Sequence, residues 1–211
     1  MTDNATERLT HKVRDMLDMQ DAMNSKVHPE WFNQNFQWYR AIWVECAEML
    51  DHYGWKWWKH QQPDLEQVRL ELVDIFHFGM SLRIMRNQDL DELAEDIAVE
   101  LQKPVSANDF KETLEILASS ALTAKRFDVS AFAGCMKQCD MTPDTLYRSY
   151  VGKNTLNFFR QDHGYKEGTY IKVWDGREDN EYLVDIIESL DSDAADFQEQ
   201  VYQGLAKHYP A

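Results

Sequence analysis

Hydrophobic positions recur at helical spacing along most of the chain. Residues 5–27 place Leu9, Val13, Met16, Leu17, Met19, Met23 and Val27 on one side, the pattern of an amphipathic helix. His28-Pro29 turns or ends it, because the residue before a proline is pushed out of the helical region. A second helix is predicted over 36–53 from the broad apolar face of Phe36, Tyr39, Ala41, Ile42, Val44, Met49 and Leu50, with Gly54 as its stop. A third spans 64–86, with Asp64 as N-cap after Pro63. Amphipathic patterns predict further helices over 89–102, 108–125, 128–140, 143–161 and 181–206, with starts marked by Asp109 and by Thr142-Pro143-Asp144. Residues 165–180 read as a loop holding at most a short extended piece. No repeat, low-complexity tract or linker interrupts the chain. The expectation is a single all-α domain over 1–211, with a helical bundle as its core.

Composition agrees with this and narrows the class. The 211 residues are 44% hydrophobic and 28% charged, enough to bury a core without disulfides. With Gly 8 and Pro 5, turn-rich β architecture is disfavoured. Cys46, Cys135 and Cys139 show no framework spacing, which points to a reducing, cytoplasmic setting. No apolar run approaches the roughly 18 residues of a membrane helix, and the N-terminal segment has no apolar stretch to act as a secretory signal. The net charge of −15 excludes a general binder of nucleic acid or anionic membrane. That charge is uneven. Segments 41–100 and 178–211 carry −8 each, whereas 150–177 carries +2 together with Gly152, Gly164, Gly168 and Gly176. A basic, glycine-bearing stretch can meet an anion with side chains and bare backbone N–H groups.

Two acid pairs stand out. Glu45/Glu48 and Glu71/Asp74 are each spaced i, i+3, so both acids of a pair share a helix face. The second pair lies in Leu70-Glu71-Leu72-Val73-Asp74-Ile75-Phe76, apolar at every other position. Burying two carboxylates there costs several kcal/mol per ion, on the order given by desolvation, unless something compensates. Two such helices face to face would make an all-oxygen donor set of the kind hard divalent cations take. No Cys or His stands at zinc spacing; the i, i+4 pair Cys135/Cys139 lacks further ligands, and Cys46 reads as core.

Three segments carry a resemblance: Trp43 to Lys59 (WVECAEMLDHYGWKWWK), Arg69 to Phe78 (RLELVDIFHF) and Tyr150 to Asn180. They resemble the dimeric dUTP diphosphatases of the all-α NTP pyrophosphohydrolase superfamily. Met19 to Asn24 is similar to that family's base-recognition segment. Residues 83–146 carry no recognised motif, although a helical region is expected there. The resemblance implies hydrolysis of dUTP, and of dUDP, to dUMP, with pyrophosphate leaving from dUTP. Glu45, Glu48, Glu71 and Asp74 would hold two or more Mg²⁺ ions against the phosphates, and Glu45 or Glu48 would orient or deprotonate the attacking water. Gln20, Asn24, Trp58, His77, Phe78 and Asn157 would meet the base or sugar. Lys59, Lys153, Arg160, Tyr165, Lys166, Lys172 and Asn180 would take the phosphates, while Glu178 and Asp179 would tether this segment to a basic side chain. The basic loop would close over the site, and the molecule would be a homodimer. Within the same superfamily, a dCTP or dual dCTP/dUTP pyrophosphatase remains open, because an amide can flip to match cytosine. In a different class stands an inactive helical regulatory or partner-binding protein.

Overall fold

A computed structural model describes residues 2–105 and 107–210. The helical periodicity is realised there as α1 (Thr2–Val27), α2 (Trp38–Tyr53), α3 (Leu65–Ile84), α4 (Leu90–Leu101), α5 (Phe110–Ala124), α6 (Val129–Gln138), α7 (Pro143–Asp162), α8 (Asp179–Ser189) and α9 (Phe197–His208). A short 3-10 turn, Trp31–Gln34, follows α1, and a two-stranded antiparallel hairpin of β1 (Val173–Trp174) and β2 (Arg177–Glu178) precedes α8. The architecture is all-α, and among the described residues no helix is long and apolar enough to cross a membrane.

Aspartates start four of these helices. Asp64, Asp89, Asp109 and Asp128 each accept from backbone N–H groups two or three residues on, capping α3, α4, α5 and α6. Such a cap contributes about 1 kcal/mol by satisfying a donor the helix cannot pair itself. The predicted start of α2 at residue 36 moves to Trp38, because Asn35 adopts a left-handed conformation (φ 52°) and detaches Phe36.

The chain divides into two compact units, Met1–Leu146 and Tyr147–Ala211, with α7 running from the first into the second. In the first unit α2 lies along α3, α1 packs on α3 and α4, and α5 packs on α2 and α6. As the sequence pattern requires, α3 is buried around most of its circumference, including Leu72, Val73, Ile75, Phe76 and Met80. Phe76 stacks on Phe132 at 5.2 Å, and Phe127 meets both edge-on. These contacts fix the height and rotation of α3, and so the direction in which its acids point.

In the second unit the predicted helix over 181–206 is two helices. Leu190 is extended, and Asp193 N–H bonds the Asp191 side chain at 3.0 Å instead of continuing the ladder. The Asp191-Ser192-Asp193 run offers the backbone this local alternative, and that ends α8. The hairpin turns on Asp175-Gly176, both at positive φ (48° and 85°), the conformation that suits a two-residue turn. Gly152 is a packing residue of α7, outside the loop: a Cβ there would meet Ile187 Cγ2 of α8 at 2.9 Å.

Candidate metal and nucleotide site

The packing of α2 on α3 brings the two acid pairs together. One carboxylate oxygen each from Glu45, Glu71 and Asp74 lies within 4.8 Å of the others. Glu48, one turn along α2, is exposed and stands outside that triad. Burial pushes the Glu45 carboxyl up to about 8, helped by a hydrogen bond with Glu71 and by the charges of Asp74, Glu71 and Glu48. The cluster therefore holds more negative charge than its surroundings can solvate, and either a proton or a cation must relieve it. All three donors are carboxylate oxygens, which fits a hard divalent cation such as Mg²⁺ rather than zinc. The triad can hold such an ion. His52 adds a contact the sequence reading missed. Its Nε2 lies 3.4 Å from Glu71 Oε1, and its place at i+4 from Glu48 was a legible signal.

Gln20 and Asn24 are buried on α1 and face α3. Gln20 Nε2 donates to Asn24 Oδ1 (3.0 Å) and to Ser81 Oγ (3.0 Å), and Asn24 Nδ2 donates to Ser81 Oγ (2.9 Å). Gln20 Oε1 pairs with His77 Nδ1 at 2.8 Å, and Ser81 donates to the His77 carbonyl. The i, i+4 spacing on both helices makes this ladder possible. Ser81, fully buried, is its hub, and nothing in its sequence surroundings marked it.

Phe78 is half-buried and stacks on Trp38 at 6.1 Å, within an aromatic group that includes Trp31 and Phe36. Trp58 and Lys59 lie on the loop between α2 and α3. That loop is held by Gln61, whose Oε1 accepts from Lys56 N–H at 2.8 Å. Trp55, Trp57 and Trp58 meet edge to face, with Trp57 89% and Trp58 58% exposed. They line an open cavity of about 490 Å³ with Lys56, Lys59, His60 and Lys111. Lys111 comes from α5, in the stretch without motifs, so only the fold reveals it.

The remaining candidates belong to the second unit. Lys153, Asn157 and Arg160 follow one another along one side of α7; Lys153 is buried, and the other two are half-buried. The guanidinium of Arg160 is already forked onto the fully buried Asp179, Nε to Oδ2 at 2.8 Å and Nη2 to Oδ1 at 2.9 Å. Its Nη1 reaches Asn157 Oδ1 at 3.4 Å. The Tyr170 hydroxyl donates to the same Asp179 (2.8 Å), and burial with that hydrogen bond raises the phenol far above its ordinary range. Asp179 thus tethers Arg160 through its Nε/Nη2 edge, and the Nη1/Nη2 edge keeps N–H groups for a further acceptor. Tyr165 and Lys166 are exposed on the turn after α7. Lys172 pairs with Glu178 at 2.9 Å, both about half exposed. Asn180 is half-buried on α8, and its Oδ1 is buried with no hydrogen-bond partner among the described residues.

In comparison with known families, the chain matches the family described as dUTPase over residues 12–165. Among curated proteins, no significant match is found. The matched range includes both acid pairs, the amide ladder, the tryptophan loop and α7.

Proposed function

Since the chain belongs to the all-α dUTPase family, we propose that it hydrolyses dUTP to dUMP and pyrophosphate, and dUDP to dUMP and phosphate, with Mg²⁺. The observation that carries this reading is the convergence of Glu45, Glu71 and Asp74 within 4.8 Å, inside the family-matched residues. These three carboxylates, with Glu48 beside them, would hold the metal. When bound, Mg²⁺ would neutralise phosphate charge and make the phosphorus a better electrophile. One carboxylate of the first pair, Glu45 or Glu48, takes the proton of the attacking water or orients it. Gln20 and Asn24 present amides to the base edge, with rotamers held by Ser81 and His77. Trp58 supplies an indole face for stacking, and Phe78 and Asn157 border base and sugar. Lys59, Lys153, Lys166 and Lys172 supply positive charge to the phosphates as point charges, and Tyr165 and Asn180 supply hydrogen bonds. Arg160, oriented by Asp179 through its Nε/Nη2 edge, offers its remaining Nη N–H groups to the phosphates. The enzyme works as a homodimer in a reducing compartment such as the cytoplasm, in keeping with three buried free thiols.

The test is dUMP formation from dUTP and dUDP, beside dCMP and dTMP formation from dCTP and dTTP, with and without Mg²⁺. Metal-dependent turnover of the uracil nucleotides is expected, and Asp74→Asn lowers kcat by on the order of 10²–10³ without lowering the melting temperature. Preferred turnover of dCTP would replace the uracil assignment. No turnover of any nucleotide would overturn the enzyme reading.

A further inference from the structure

The family match ends at residue 165, yet the turn that follows it is anchored to α9. Tyr209 caps α9, its N–H bonded to the Leu205 carbonyl at 3.0 Å. Its ring stacks on Tyr170 at 5.4 Å and 16° and meets Trp174 edge-on at 5.5 Å. On its other sides lie Phe159 of α7 at 5.3 Å and His163, just past the end of that helix, at 4.7 Å. The Tyr209 hydroxyl accepts from the backbone N–H of Ile171 at 3.2 Å. Through these contacts α9 is tied to the segment that carries Tyr165, Lys166 and Lys172.

Tyr209 shares this work with local restraints. Backbone bonds to the Arg160 and Gly164 carbonyls hold the first half of the segment, the Ile171 carbonyl accepts from the indole Nε1 of Trp174 at 2.7 Å, and Asp179 N–H bonds the Lys172 carbonyl. Between them, Tyr170 is gripped on two sides. Its hydroxyl donates to Asp179, and its ring lies flat on Tyr209. The two grips have different chemistry, one a hydrogen bond to a buried carboxylate, the other aromatic and dependent on α9.

We infer that Tyr209 is a positioning residue. Its ring holds Tyr170 and Ile171 so that the 164–178 segment is ordered before substrate arrives, and the chain beyond the family match is therefore part of the site's framework. The inference rests on the reading of this segment as phosphate-binding. It operates through preorganisation, since a segment that must be ordered on binding weakens the complex by that ordering cost.

Hydrogen exchange and steady-state kinetics on the 211-residue chain test it. In Tyr209→Ala without nucleotide, exchange at amides 165–173 rises by about tenfold while α3 amides are unchanged. KM for dUTP then rises by about tenfold with kcat within about twofold of wild type, the signature of lost binding order rather than lost chemistry. Tyr209→Phe keeps the stack and loses only the bond to Ile171, so its KM stays within about threefold of wild type. If Tyr209→Ala folds poorly, Tyr209→Leu keeps apolar cover without the planar stack and is expected to show the same exchange and KM change. Unchanged exchange in 165–173, or a fall in kcat at constant KM, overturns the inference. Should the wild-type protein turn over no nucleotide, the functional reading falls, and the exchange measurement still decides whether Tyr209 orders the segment.

Discussion

Glu45 sits where burial and three neighbouring acids act in the same direction. Its carboxyl, raised from 4.5 to about 8, keeps a proton in the folded protein that the unfolded chain releases near 4.5. Without metal, the stability that this proton confers is complete below about 4.5 and lost as pH rises through about 8. Mg²⁺ competes with the same proton, so its affinity increases over that window and its binding releases protons. Melting curves between those limits, with and without Mg²⁺, check both signs. Glu45→Gln should flatten the metal-free curve, and a wild-type melting temperature that does not fall with pH would contradict the argument. Ser81 makes a different demand. Ser81→Ala leaves the Gln20 and Asn24 donors without their shared acceptor in a buried place, at a cost of about 1–3 kcal/mol. Urea denaturation would measure it, and a shift in the midpoint without a change in slope is expected. The acids and amides were legible because i, i+3 and i, i+4 spacing places them on one helix face. Ser81 was not, because a serine in an apolar run gives no sign of what faces it from another helix.

Among the elements, helix starts capped by aspartate were legible. Asp64 and Asp109 acted as the caps their positions suggested, since capping is a contact within a few residues. The break between α8 and α9 went unread because Leu183, Ile186 and Ile187 continue in helical phase toward Val201 and Leu205, all five buried. The periodicity describes both helices equally well and does not register the change in direction. Gly152 was read with the basic loop for the same reason: composition does not say which glycines turn the chain and which admit a neighbour. Gly152→Val should drive a side chain into Ile187, at a cost of about 1–3 kcal/mol from overpacking. Calorimetry would check this, and an unchanged melting temperature would mean that α7 and α8 can separate freely.

For the molecule as a whole, the charge of −15 describes two regions of different use. The acid-rich stretch 41–100 includes Glu45, Glu71 and Asp74, which bound metal would partly neutralise, while the net-positive stretch 150–177 includes Lys153, Arg160, Lys166 and Lys172. Part of that positive charge is already matched, since Arg160 faces Asp179 and Lys172 faces Glu178. The proposed dimer belongs to this scale as well. Sedimentation velocity is expected to give twice the 24.9 kDa chain mass, and a monomer at micromolar concentration would remove that part of the reading.

By itself the sequence determined most of the helices, the caps at Asp64 and Asp109, the shared face of each acid pair and the loop that interrupts the periodicity. All of these follow from contacts spanning a few residues, where 3.6-residue geometry suffices. Tertiary structure alone decided that Glu45 meets Glu71 and Asp74 with Glu48 outside, and that Asp179 takes the fork of Arg160. It also decided that Lys111 lines the tryptophan cavity and that Tyr209 reaches back to Tyr170. Each of these depends on how far one element is rotated and shifted against another, which is set by the packing of many apolar side chains at once and has no local period to betray it.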